Sequence, residues 1–196
     1  MIIHIASNHK SDGDKLLIQE VTVTDRLKNY YELTKPKIWY LLVFTTFGSA
    51  VTASYLTNNF LSPLQWIYLL VGIITGSAAA DALTGYNDRD IDAIMDRTKD
   101  RPIPSGRIAP KNALIFGLLL ASISLFCAWS INYLTFGLMA FGLFDNIIVY
   151  SKWLKRKSQT NIILGGFSGA VPALIGYVAV TTENIGIGGL VQKRTI

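Results

Sequence analysis

Five stretches of about twenty mostly apolar residues constrain this chain more than any other feature. They run from Ile38 to Leu56, Leu64 to Leu83, Asn112 to Ile131, Tyr133 to Tyr150 and Ile162 to Thr182. A bilayer's hydrocarbon layer is about 30 Å thick and a helix rises about 1.5 Å per residue, so each stretch is long enough to cross it. In lipid the backbone must satisfy its own hydrogen bonds, which makes each one a helix. The expected fold is therefore all-α, a polytopic transmembrane helical bundle with about five spans. Composition agrees: 51% of the residues are hydrophobic and 16% charged, and a mean hydropathy of +0.36 is high for a soluble domain. No continuous apolar core precedes a small-residue cleavage site in the first twenty residues, so the reading expects no cleaved signal peptide.

Charge sets the expected orientation. Lys10, Lys15, Arg26, Lys28 and Lys35 precede the first span; Arg89, Arg97, Lys99, Arg101 and Arg107 follow the second; Lys152, Lys155, Arg156 and Lys157 follow the fourth. The intervening connections, Thr57 to Pro63 and around Asn132, carry none. Positive residues in short loops stay on the cytoplasmic side, so the N-terminus and both basic loops are expected there, in a multi-pass protein of the cell membrane. A net charge of +5 does not argue for nucleic acid, because the basic residues are dispersed and interleaved with carboxylates. Cys127 stands alone in an apolar run, which excludes a disulfide framework and a thiolate zinc site. Residues 1–32 are read as a cytoplasmic tail, 33–187 as the membrane domain, and 188–196 as an atypical end that begins like another span and turns polar.

The chemistry is concentrated between the second and third stretches. Residues 88–102 hold Asp88, Asp90, Asp92, Asp96 and Asp100 beside Arg89, Arg97, Lys99 and Arg101. Residues four apart on a helix stand above one another, so Asp88, Asp92 and Asp96 are expected to form an acidic ridge continuing from the second span. Stacked carboxylates repel unless a divalent cation sits among them, and magnesium takes a few carboxylates together with phosphate oxygens and water. Asp88 and Asp92 are the ligand candidates; Arg89, Arg97, Lys99 and Arg101 are candidates for neutralising phosphate oxygens. An ordinary solvated loop of mixed charge would carry similar residues, but it would not emerge directly from a membrane helix in a charge-poor chain. Asp81 lies deeper in the second span, where an ionisable group is either functional or paired. Asp145 and its neighbour Asn146 receive no role.

A second basic cluster, Tyr150 with Lys155, Arg156 and Lys157, precedes a series of small residues including Gly165, Gly169 and Ala173. Topology alone accounts for the lysines, and close helix packing for the spacing of four. The sharper reading brings Tyr150, Lys155 and Arg156 to the same mouth as the acidic residues to clamp a diphosphate.

These residues resemble the UbiA superfamily of intramembrane prenyltransferases, and within it the branch that farnesylates protohaem IX. The resemblance rests on Asp88-Arg89-Asp90-Ile91-Asp92 with Met95, Arg97-Thr98-Lys99 and Arg101, on Ser105-Gly106-Arg107-Ile108, and on Leu33-Thr34-Lys35-Pro36-Lys37. Tyr150, Lys155-Arg156-Lys157 and the stretch from Gly165 to Thr181, with Pro172 and Gly176, complete it. It implies that Mg2+ and the diphosphate of farnesyl diphosphate bind an Asn-x-x-x-Asp-x-x-x-Asp motif. Here the aspartates are Asp88 and Asp92, and Thr84 stands where the family carries Asn. The implied metal set is thus Thr84, Asp88 and Asp92, the implied partners are farnesyl diphosphate, protohaem IX and membrane lipids, and haem is a substrate, not a cofactor. His4 and His9 are the only histidines, and no haem ligand is assigned. The family also implies further helices and a second acidic motif after this point, so the reading expects a C-terminally truncated bundle. The alternatives are a transferase of the same kind acting on a quinone precursor or a glycerol-phosphate lipid, and a membrane fragment without turnover.

Overall fold

The structure, a computed structural model, describes residues 23–147 and 161–182, with side chains in the last helix from residue 169 onward. Seven helices make up the described residues: α1 (Val23–Leu33), α2 (Pro36–Thr57), α3 (Pro63–Asn87), α4 (Arg89–Asp92), α5 (Pro110–Ile131), α6 (Tyr133–Phe144) and α7 (Asn161–Thr181). They fall where the five apolar stretches lie, with α1 and α4 added on the polar segments. Three of them, α2, α3 and α5, are long and apolar enough to cross a membrane, while 133–147 and 169–181 are shorter apolar helices.

Local chemistry sets the helix starts. Proline opens α2, α3 and α5 in the first turn, where its missing N–H costs nothing. Ser62 and Gln65 form a reciprocal capping box at α3. Asn132 ends α5 in extended backbone and caps α6 by accepting from the Thr135 N–H at 2.7 Å, so two apolar helices meet in a one-residue corner.

α3 packs most extensively on α5, and α2 on α7, with α6 bridging α5 and α7. Small residues make the close approaches. A Cβ at Gly176 of α7 would strike the Thr46 carbonyl oxygen of α2, and one at Gly117 of α5 would strike Leu83 of α3. Hydroxyls fasten the same seams: Ser124 donates to the Gly72 carbonyl at 2.7 Å and Ser49 to the Ala173 carbonyl at 2.6 Å. The outward faces remain apolar, with Phe44, Leu56, Phe126 and Trp129 more than half exposed. Such a surface suits lipid and would aggregate in water. Together with α2, α3 and α5 it makes this a multi-pass membrane protein.

One expectation changes. The acidic ridge does not run on as a helix to the prolines, because α4 ends at Asp92 and residues 93–109 form a series of turns. The Thr98 hydroxyl donates to the Asp92 carbonyl at 3.0 Å, taking an acceptor that a continuing helix would have used. Asp96 therefore leaves the ridge, and its side chain is 99% exposed.

A candidate diphosphate and metal site at the end of the second span

α3 hands its backbone on one turn at a time at its C-terminal end. The Asp88 N–H donates to the Thr84 carbonyl at 2.9 Å and the Asp92 N–H to the Asp88 carbonyl at 2.8 Å. Thr84, Asp88 and Asp92 thereby share a face, and all three are buried, the two aspartates at 2% exposure each. Burying a carboxylate requires a compensating charge or hydrogen bond. Arg101 supplies it for Asp92, donating from Nη1 to Oδ2 at 2.7 Å. The turns after α4, closed by Arg101 N–H to Thr98 carbonyl at 3.1 Å, place that guanidinium.

A second acid–base pair stands nearby. Lys35, in left-handed backbone (φ 45°) just before Pro36, sends its ammonium to Asp81 Oδ1 at 3.0 Å. Asp81 is thus paired, and its partner is a lysine 46 residues away. No periodicity signals such a contact; the Lys-Pro pair ahead of the first span was the available hint. Lys35, Asp81, Asp92 and Arg101, with Leu33 and Ile103, border a cavity of about 190 Å³. The loop above is clamped to α1 by Arg107, whose guanidinium makes two parallel bonds to Glu32, at 2.7 and 3.0 Å, and one to Asn29 Oδ1 at 2.9 Å. The Glu32 bonds raise the Arg107 pKa above its already high ordinary value, so this clamp keeps its charge at any physiological pH.

The remaining candidates distribute as follows. Arg97 is exposed, and Lys99 pairs with Asp96 at 3.0 Å. Thr84 donates its hydroxyl to Asn146 Oδ1 at 3.2 Å. Tyr150, Lys155 and Arg156 lie outside the described residues.

No group of three or more His, Cys, Asp or Glu side chains able to hold a metal ion occurs among the described residues. Two buried carboxylates and a hydroxyl on one face are too few for a cation caged entirely by protein. They do suit magnesium shared with a diphosphate, whose oxygens and waters complete an octahedron.

The profile described as the UbiA prenyltransferase family matches residues 41–191. The chain belongs to that family. Among curated relatives, it is 50% identical over 183 residues to a protein named Protoheme IX farnesyltransferase 2 of Cenarchaeum symbiosum, covering 89% of this chain and 59% of that one. It is 46% identical over 162 residues to the Protoheme IX farnesyltransferase of Thermoplasma volcanium, covering 81% and 55%. The chain thus spans somewhat more than half the length of these relatives. Among solved structures, it superposes on a digeranylgeranylglyceryl phosphate synthase with a TM-score of 0.72 at 22% identity, covering 80% of this chain and 54% of the other. On a UbiA homologue of Archaeoglobus fulgidus bound to GPP and Mg2+ the TM-score is 0.65 at 21% identity, covering 79% and 55%. At such identities the likeness establishes the fold: a UbiA-type membrane helical bundle.

Proposed function

We propose that this chain carries the metal- and diphosphate-binding part of an intramembrane prenyltransferase that moves a farnesyl group from farnesyl diphosphate to a vinyl group of protohaem IX. The observation that carries the reading is the stack of Thr84, Asp88 and Asp92, buried at the end of a membrane helix with the Arg101 guanidinium against it. The acceptor is carried by the relatives' names, at up to 50% identity. A magnesium-bound prenyl diphosphate in a UbiA homologue of the same fold supports the donor class.

In this reading Thr84, Asp88 and Asp92 would hold Mg2+, which would neutralise the diphosphate and make it a better leaving group. Arg101, bonded to Asp92, is placed to donate to a phosphate oxygen as well. Arg97 and Lys99 from the same loop, with Tyr150, Lys155 and Arg156 from the second basic segment, add to that neutralisation. The allylic carbon–oxygen bond then ionises, its electron pair leaving with the diphosphate. The π electrons of the haem vinyl group attack the resulting farnesyl cation. Water adds to the new cation and loses a proton, giving the hydroxyethylfarnesyl side chain of haem O. The apolar bundle keeps bulk water from the first cation until the vinyl group has reacted. The loop that carries Arg97, Lys99, Arg101 and Arg107 follows directly on the site, and the tendency of such positive loops to stay inside supports a cytoplasmic face for the chemistry.

The test is expression of the intact protein in a host lacking its own haem-farnesylating enzyme, followed by mass spectrometry of extracted haem. Haem O should accumulate with the natural sequence and be absent with Asp88→Ala, the membrane level of the protein being unchanged. Haem O formation undiminished by Asp88→Ala would falsify the metal-ligand role. A prenylated glycerol-phosphate lipid in place of haem O would keep the donor site and replace the acceptor.

A further inference from the structure

Most hydroxyls on the membrane helices spend their proton on their own backbone. Thr52, Thr57 and Thr75 each donate to the carbonyl four residues back, as do Ser54 and Ser130. Thr84 instead donates to a side chain on another element, Asn146 Oδ1 at 3.2 Å, across 62 residues of sequence. The joint is held from two sides, because Asn87, three residues further along the same face, donates from Nδ2 to the Ile147 carbonyl at 3.3 Å. Asn146, itself half-buried, also borders a small cavity of about 70 Å³ formed by α2, α3, α6 and α7.

The direction of the Thr84 bond matters chemically. A hydroxyl is one donor with two acceptor lone pairs, and its oxygen can face a cation only when the proton is turned elsewhere. Left to itself, the rotor would turn toward an acceptor at hand: the carbonyl four residues back, or the Asp88 carboxylate one turn on. Either choice removes a lone pair or a carboxylate oxygen from the cation's reach. Asn146 offers a neutral acceptor on the opposite element.

Resting on the reading above, we infer that Asn146 is a positioning residue: it takes the Thr84 proton and thereby fixes the Thr84 oxygen as a ligand for the divalent cation shared by Asp88, Asp92 and the prenyl diphosphate. It restores through space a carboxamide that the chain lacks at position 84 itself. Groups that orient metal ligands by hydrogen bonding generally contribute about ten- to a hundredfold to metal affinity.

The test is calorimetric titration of Mg2+ into the intact protein in detergent, with the unreactive analogue farnesyl thiolodiphosphate present. Asn146→Leu should weaken Mg2+ binding about tenfold, and Thr84→Val to a similar degree. The double variant should be no weaker than Thr84→Val alone, since the inferred effect of Asn146 on the cation runs through that hydroxyl. Asn146→Asp, which retains the acceptor oxygen, should stay within about threefold of the natural protein, even if Asn146→Leu lowers the melting temperature. Unchanged Mg2+ affinity in Asn146→Leu, additive losses in the double variant, or a loss in Asn146→Asp equal to that in Asn146→Leu would each overturn the inference. If the natural protein itself takes up the analogue without Mg2+ dependence, the proposed function fails and carries this inference with it. A magnesium-dependent natural protein with a silent Asn146→Leu overturns the inference alone.

Discussion

Two carboxylate–cation pairs lie within ten residues of each other after α3, and only one of them includes a proposed metal ligand. Asp92 meets Arg101 at 2.7 Å with its side chain 3% exposed, while Asp96 meets Lys99 at 3.0 Å with its side chain 99% exposed. The distances are nearly alike and the charges are the same. Burial separates them. In water an ion pair contributes little, because solvation compensates each partner equally well; out of water, each partner depends on the other. A pair held out of water at the end of a membrane helix is therefore the better candidate for the site, whereas an exposed pair is a property of the surface.

The largest effect should follow from removing the buried acid. Asp92→Ala leaves the Arg101 guanidinium, about a third exposed, without its carboxylate, and breaking such a pair costs about 3 kcal/mol where solvent still reaches one partner. Thermal unfolding in detergent should register that loss, and calorimetry should find no magnesium-dependent uptake of farnesyl thiolodiphosphate. Asp92→Ala with unchanged uptake would remove Asp92 from the site and with it the distinction just drawn. Next comes Lys35→Met. It strands Asp81, whose side chain is 13% exposed, and should destabilise by about 2 kcal/mol. Adding Asp81→Leu should recover most of that loss, because replacing both members of a buried pair by apolar groups is close to neutral. If the double variant recovers stability yet loses diphosphate affinity, the Lys35 pair is part of the binding surface of the 190 Å³ cavity as well as a brace.

How far the sequence revealed this contrast depends on which force acts at each residue. Periodicity and length placed α2, α3 and α5, because a bilayer-spanning helix is specified almost entirely by local apolar content. The i, i+4 rule put Asp88 and Asp92 on one face for the same reason, as the helix still turns regularly there. The rule failed at Asp96. Thr98 folds back on the Asp92 carbonyl, and nothing in the spacing of carboxylates signals a hydroxyl six residues later. Contacts between distant elements were equally hidden. Lys35 with Asp81 and Thr84 with Asn146 join segments 46 and 62 residues apart, and they depend on how whole helices pack, not on any local pattern. The clamp between Arg107 and Glu32 belongs with these. It is partly exposed, so Arg107→Lys, which loses the parallel pair of bonds, should cost only up to about 1 kcal/mol. A shorter proteolytic lifetime of the α1–loop junction should be its clearest signature.

The smallest effect is the most exacting for the comparison. Asp96→Ala removes a carboxylate of the acidic motif, from a pair in which Lys99 is itself half exposed. If the acidic residues acted as one charged ridge, Asp96 would share in holding the cation, and its loss would weaken magnesium binding together with that of Asp88 and Asp92. With the side chain fully in solvent, water replaces the lysine as soon as the carboxylate is gone, and salt already screens what attraction there was. Asp96→Ala should accordingly leave the melting temperature and the magnesium affinity of the farnesyl thiolodiphosphate complex unchanged, at low and high salt alike. A severalfold loss of magnesium affinity would mean that Asp96 reaches the cation after all, and burial would no longer separate the two pairs.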